Sequence, residues 1–145
     1  MCGIGGAINY KRSEISLEAI QGIGTAIAHR GPDDLGFYCY ADGTQALTRD
    51  IKNGFDFNVA FLHRRLSILD LSERGWQPMQ SPDQRYTITY NGEIYNYVEL
   101  RESLIKKGYT FQTETDTEVI LQAYQEWGAD ALGYFNGMLR PIHFE

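Results

Sequence analysis

The chain holds only two cysteines, Cys2 and Cys39, and three histidines, His29, His63 and His143, scattered through 145 residues. They form no CxxC pair, no disulfide framework and no zinc-ligand spacing, so neither a disulfide scaffold nor a metal site is expected. No Lys/Arg cluster is interleaved with aromatics, and the formal net charge is -6. Such a surface is a poor partner for nucleic acid and for anionic membranes. No apolar run is long enough to span a bilayer. The opening MCGIGGAINYKR carries no basic leader, and a Cys at position 2 does not suit myristoylation. A reducing cytoplasm is the expected compartment, where a free thiol survives. Repeats, low-complexity runs and Pro/Ser-rich linkers are missing too. The length and the 43% hydrophobic content suit one globular domain with a single core.

Periodicity supplies the elements. Residues 4–10 read as a glycine-rich strand, and residues 35–40, 58–63 and 85–90 as further strands, with Asp42-Gly43 as a turn. Residues 17–28 place Leu17, Ile20, Ile23 and Ile27 on one helical face behind Ser16 as N-cap, with Gly31-Pro32 as the stop. A helix over 96–107 carries Tyr97, Leu100 and Leu104, started by Asn96 with Glu99 and ended by Gly108. Another over 116–127 carries Val119, Ile120, Ala123, Tyr124 and Trp127, behind a Thr115–Glu118 capping box and before Gly128. Tight turns between strands and separate helical blocks imply an α+β layered domain with antiparallel pairing.

Several short segments could carry chemistry. In Met1-Cys2-Gly3, loss of the methionine would leave Cys2 with a free α-amine of pKa about 7.7–8, a nucleophile and a base in one residue. A small second residue is the simpler reading of Cys2 by position alone; Gly3 favours the reactive one by letting a substrate approach the backbone. The GIGG run is no dinucleotide loop, since no strand precedes it and no long helix follows at once. His29-Arg30-Gly31-Pro32-Asp33 reads as a helix end and a turn, with Arg30 suited to the helix dipole. In Arg64-Arg65-Leu66-Ser67-Ile68-Leu69-Asp70 a strand-end guanidinium could grip a carboxylate, although two solvated arginines are the simpler reading. Asn91-Gly92 within Asn91–Asn96 is a strong turn signal, and the same geometry can present an amide and an N–H to an oxyanion. Thr115-Asp116-Thr117-Glu118 is a helix N-terminus where carboxylates are favoured anyway; the alternative is that Asp116 holds an ammonium.

Taken in order, MCGI, HRGPD, RRLSILD with Gln77-Pro78-Met79, NGEIYN and TDTEV resemble the class II glutamine amidotransferase domain of asparagine synthetase-like proteins, which are N-terminal nucleophile hydrolases. The resemblance runs from Met1 to about Met138. It implies a four-layer αββα sandwich and no cofactor. It implies that Cys2 attacks the carboxamide carbon of glutamine, that Asn91 and the Gly92 N–H form the oxyanion hole, and that Arg65 binds the α-carboxylate. The backbone of Leu66, Ser67, Ile68 and Leu69 would line the pocket, and Glu93 and Asp116 would hold the α-ammonium. A zwitterionic substrate needs one cation and at least one anion, and Arg65 and Asp116 supply them.

After FNGM the family pattern runs into an apolar strand and further strands; here the chain reads Leu139-Arg140-Pro141-Ile142-His143-Phe144-Glu145. Pro141 would remove a ladder bond from a central strand. The expectation is one amidotransferase domain over residues 1–145 with C-terminal strands missing, without a synthetase domain and without an SGG-type ATP loop. Glutamine is the expected partner, together with a separate synthetase or acceptor domain, and an exposed sheet edge would favour a homodimer. The competing expectation is a catalytically impaired, truncated module that binds glutamine or another protein.

Overall fold

A computed structural model describes residues 2–10, 15–51, 56–67, 73–139 and 141–144. The chain forms two compact units, Met1–Ser67 with Trp76–Pro78, and Ile68–Gly75 with Met79–Glu145.

The first unit is a four-stranded antiparallel sheet with one helix against it. Its strands are β1 (Gly3–Ile8), β2 (Asp34–Ala41), β3 (Thr44–Thr48) and β4 (Val59–Arg65), in the order β1-β4-β2-β3. β2 and β3 join through Asp42 and Gly43, both at positive φ, as the Asp-Gly turn signal predicts. Helix α1 (Leu17–Ala26) starts at Ser16, whose side chain accepts the Ala19 N–H. It ends earlier than its periodicity suggests, and a 3-10 turn, Ala28–Arg30, follows. Ile20, Phe37, Cys39, Ala60 and Leu62 form the buried core, with Ile23 and Ile27 packed against it. Central β4 pairs with both β1 and β2, so Arg64 lies opposite Gly3 on one side and Leu35 on the other. The register therefore brings the end of β4 beside the start of the chain.

The second unit holds β5 (Met79–Gln80), β6 (Thr87–Tyr90), β7 (Glu93–Ile94), α2 (Tyr97–Lys106), α3 (Asp116–Trp127), β8 (Gly137–Met138) and β9 (Pro141–Phe144). β5-β6-β9 form one sheet, and β7 pairs with β8. Ile88, Tyr90, Ile94, Leu100, Leu104, Val119 and Ala123 make its core. The apolar faces expected of α2 and α3 are the faces buried.

Three local expectations fail here. Asn91-Gly92 does not close a two-residue hairpin, because β6 pairs with β5 and β9 whereas β7 pairs with β8. Asn96 makes no capping bond: its amide donates to Tyr134 O and its Oδ1 accepts the Asn136 N–H. A strand does follow Met138. Pro141 is the first residue of β9, an outer strand opposite Tyr90, where a missing N–H is tolerated.

Candidate active site

In the first unit the chemistry gathers where β1 begins and β4 ends. Half-buried Cys2 has its Sγ 3.3 Å from the Leu66 N–H and 3.6 Å from Leu66 O. The sulfur thus meets a segment 64 positions away in sequence. At its other end Cys2 is held by Arg30, whose Nε donates to the Cys2 carbonyl at 3.1 Å. A Cβ at Gly3 would sit tightly against the Ile27 and Arg30 side chains, at 3.1 to 3.3 Å.

The exit of β4 is clamped by the HRGPD segment. The Asp33 N–H donates to Arg65 O at 3.1 Å, and Asp33 Oδ2 accepts the Ser67 N–H at 2.8 Å. Gly31 makes this crossing feasible, because a Cβ there would stand 2.3 Å from Arg64 O. Arg64 donates its Nε to Gly24 O near the end of α1, and Arg65 is only 6% exposed. Neither is a simple solvated arginine, contrary to the simpler sequence reading. Of the expected pocket-lining residues, Leu66 and Ser67 stand beside the thiol segment, and Ile68 and Leu69 lie outside the described residues.

In the second unit, Asn91 and Gly92 link β6 to β7, Glu93 opens β7, and Asp116 opens α3. A Cβ at Gly92 would meet Met138 O at 2.0 Å and the Tyr90 ring at 2.8 Å, so close approach demands glycine here without any special φ. Asp116 is buried, and its Oδ2 accepts the Ile94 N–H at 3.1 Å and the Tyr90 hydroxyl at 3.3 Å. These bonds bring the start of α3 against the NGEIYN segment. Burial raises the Asp116 carboxyl above its ordinary 3.8, opposed by the bonds from Ile94 and Tyr90. Burial, followed by the Asp116 and Glu93 charges, pushes the Tyr90 hydroxyl up, so Tyr90 stays a neutral donor. Two carboxylates therefore act on one phenol.

The capping box of α3 is half formed. Thr115 Oγ accepts the Glu118 N–H, but Glu118 accepts from Gln112 N, Thr113 N and Thr113 Oγ instead of returning to Thr115. Among the described residues no group of three or more His, Cys, Asp or Glu is placed to hold a metal ion. Nor is any helix among them long and apolar enough to cross a membrane.

Residues 1–140 match a protein-family model described as a glutamine amidotransferase domain. The chain belongs to that family. The amidotransferase domain is 40% identical over 141 residues to asparagine synthetase [glutamine-hydrolyzing] 1 of Bacillus subtilis (strain 168), covering 95% of this chain and 20% of that one. It is 35% identical over 141 residues to asparagine synthetase [glutamine-hydrolyzing] 2 of Oryza sativa subsp. japonica, with the same two coverages of 95% and 20%. The chain thus spans about a fifth of the length of these curated relatives. The solved glutamine phosphoribosylpyrophosphate amidotransferase of B. subtilis, complexed with ADP and GMP, superposes with a TM-score of 0.75 at 21% identity, over 99% of this chain and 34% of that one. That likeness concerns fold: the α+β fold with antiparallel pairing expected from the sequence is the fold found. The stretch this chain matches in the curated relatives is one domain of proteins named as glutamine-hydrolysing asparagine synthetases.

Sequence reasoning gave Arg30 and Glu118 only local helix roles and Asp33 only a place in a turn, and it passed over Tyr90 and Arg101. Arg30 and Asp33 stood inside a motif already singled out, and a charged residue just after a helix end could have been asked which backbone group it holds. Tyr90 and Arg101 gave no signal beyond their places in a strand and a helix.

Proposed function

We propose that this domain hydrolyses glutamine to glutamate and ammonia through a thioester on Cys2. With Met1 removed, the α-amine of Cys2 takes the thiol proton and the sulfur attacks the carboxamide carbon. The Asn91 amide and the Gly92 N–H stabilise the oxyanion. The C–N bond breaks, ammonia departs with the transferred proton, and water hydrolyses the thioester. Arg65 takes the α-carboxylate, Glu93 and Asp116 take the α-ammonium, and the Leu66–Leu69 backbone lines the pocket. The observation that carries this reading is the 3.3 Å approach of the Leu66 N–H to Cys2 Sγ, which joins two of the motif blocks at the one thiol with an N-terminal position. The buried Asp116 beside Tyr90, with Glu93 also acting on that phenol, supports a subsite for a cation.

Residues 1–145 are read as one amidotransferase domain that supplies ammonia to a synthetase-type acceptor in the cytoplasm. Outer strand β9 is the surface for a homodimer; sedimentation at micromolar concentration would show a monomer if that part is wrong. Glutamate release from glutamine, compared between the parent chain and Cys2→Ala, tests the mechanism. Loss of release in the variant and a mass lacking Met1 are expected. Equal rates in the two proteins would remove Cys2 as nucleophile. The alternative, a module that binds glutamine without hydrolysing it, takes its support from the divergent Leu139–Phe144 segment. It predicts glutamine-dependent stabilisation with no glutamate formed.

A further inference from the structure

Residues 112–115, just ahead of α3, are gripped by two buried or largely buried charges of opposite sign. Glu118, 7% exposed, accepts the Gln112 N–H at 2.9 Å, the Thr113 N–H at 2.7 Å and the Thr113 hydroxyl at 2.7 Å. Arg101 of α2 donates from Nη1 to Thr113 O at 2.7 Å and from Nη2 to Thr115 O at 3.3 Å, with its guanidinium 4.6 Å above the Phe111 ring. Its ion pair with Glu114, at 3.5 Å, involves a carboxylate that is 85% exposed and therefore contributes little. Arg101 and Glu118 do not pair with each other. One neutralises carbonyls and the other amides of the same short segment. Arg101 Nε is also left buried without a partner, an arrangement that costs stability rather than adding to it.

Starting α3 does not require this. The Thr115 hydroxyl already accepts the Glu118 N–H, and one such cap suffices for a helix. What the two charges add is a fixed backbone immediately before Asp116. The Asp116 carboxylate can then meet both Ile94 N–H and Tyr90 O–H from a single oxygen.

We infer that Arg101 and Glu118 are positioning residues for the α-ammonium subsite, clamping residues 112–115 so that Asp116 is presented in one orientation. This rests on the reading that Asp116 receives the α-ammonium. Neither residue touches the substrate. Their effect is on selection between substrates that carry the ammonium and those that lack it.

The test is binding by the Cys2→Ala protein, measured by titration calorimetry with glutamine and with 4-carbamoylbutanoate, which is glutamine without its α-ammonium. The full chain is used, alone and with Glu118→Gln, Arg101→Met, Arg101→Lys or Asp116→Asn added. Glu118→Gln turns one acceptor into a donor facing an amide. Arg101→Met keeps the stem on Phe111 and removes the fork, and a Lys cannot reach two carbonyls in that fork geometry. Glutamine affinity should fall about tenfold in Glu118→Gln and Arg101→Met. The affinity for 4-carbamoylbutanoate should stay within about twofold, so that discrimination collapses. Arg101→Lys should lie between them and the parent. Thermal unfolding identifies any variant that does not fold, and Arg101→Lys then serves as the decisive one. Equal losses for both ligands, or undiminished discrimination in folded variants, overturn the clamp. If Asp116→Asn removes discrimination while the clamp variants keep it, the clamp alone falls. If Asp116→Asn also keeps it, the ammonium reading of Asp116 falls and takes the clamp with it.

Discussion

Cys39 lies inside β2 at 1% exposure, and burial pushes its thiol up to about 12, whereas Cys2 is half-buried beside a backbone N–H. A thiolate is the reactive form, so the two sulfurs should differ sharply toward a water-soluble disulfide reagent. One thiol per native chain is expected to react quickly, and the second only in denaturant; a Cys2→Ala protein should lose the fast phase. Two fast thiols in the native parent would contradict the burial of Cys39. Asp116 offers a second contrast. Its carboxyl is raised by burial, so folding disfavours its ionised form. The sign follows: stability from this group is present at low pH and is lost as pH rises from 3.8 through the raised value. Asp116→Asn should flatten that part of the pH–stability curve. For binding, the ionised form is the one that balances an ammonium, so the parent's KM for glutamine should increase as pH falls through the same window. A KM independent of pH there, or a parent that gains stability relative to the Asn variant as pH rises, would refute the argument.

Helix α3 is unusual in burying its polar first turn: Asp116, Thr117 and Glu118 are all buried, Asp116 accepting from Ile94 and Tyr90 and Glu118 from residues 112 and 113. Thr115 is the hinge of this arrangement. Its hydroxyl caps Glu118 N and also shares a 2.8 Å bond with the Thr113 hydroxyl, which in turn donates to Glu118. Thr115→Ala should therefore cost about 1–2 kcal/mol, the upper part of the range for N-cap removal. The midpoint of urea unfolding should fall with an unchanged slope. A variant as stable as the parent would show that the segment is held without the cap. Asn96 leaves its own helix without a side-chain cap and instead ties the start of α2 to residues 134 and 136. Capping propensity is a local preference, and a tertiary hydrogen-bond demand of comparable strength overrode it.

Each unit carries its own core, one built on α1 against the four-stranded sheet and one on α2 and α3 with β6 and β7. A ligand that binds only folded protein adds stability by mass action, about 2.7 kcal/mol when its free concentration is a hundredfold above Kd. The Cys2→Ala chain, which cannot consume the ligand by the proposed route, should therefore unfold at a higher temperature in saturating glutamine. Glutamate, lacking the carboxamide, should shift it less. An unfolding temperature insensitive to glutamine at any concentration would count against a glutamine pocket in this chain, catalytic or otherwise.

Much of this was written in the linear chain. The three helices, the main strands, the Asp42-Gly43 turn and the faces that become core follow from period and from turn chemistry, which are interactions within a few residues. The identity of the motif blocks, and with it the family, also follows from their order. What could not be read was pairing and reach. Whether Asn91-Gly92 turns back on its own strand depends on which partner β7 finds, and that partner, β8, lies more than forty residues further on. Whether Arg30 merely ends a helix or grips Cys2, and whether Asp33 merely turns the chain or holds Ser67, depends on β4 lying between β1 and β2. Glu118 looked like one half of a capping box because the local rule has no knowledge of residues 112 and 113 folding back over it. Short-range preference is additive along a sequence; the destination of a charged side chain is not, because it is settled by whichever buried backbone groups the assembled layers leave in need of a partner.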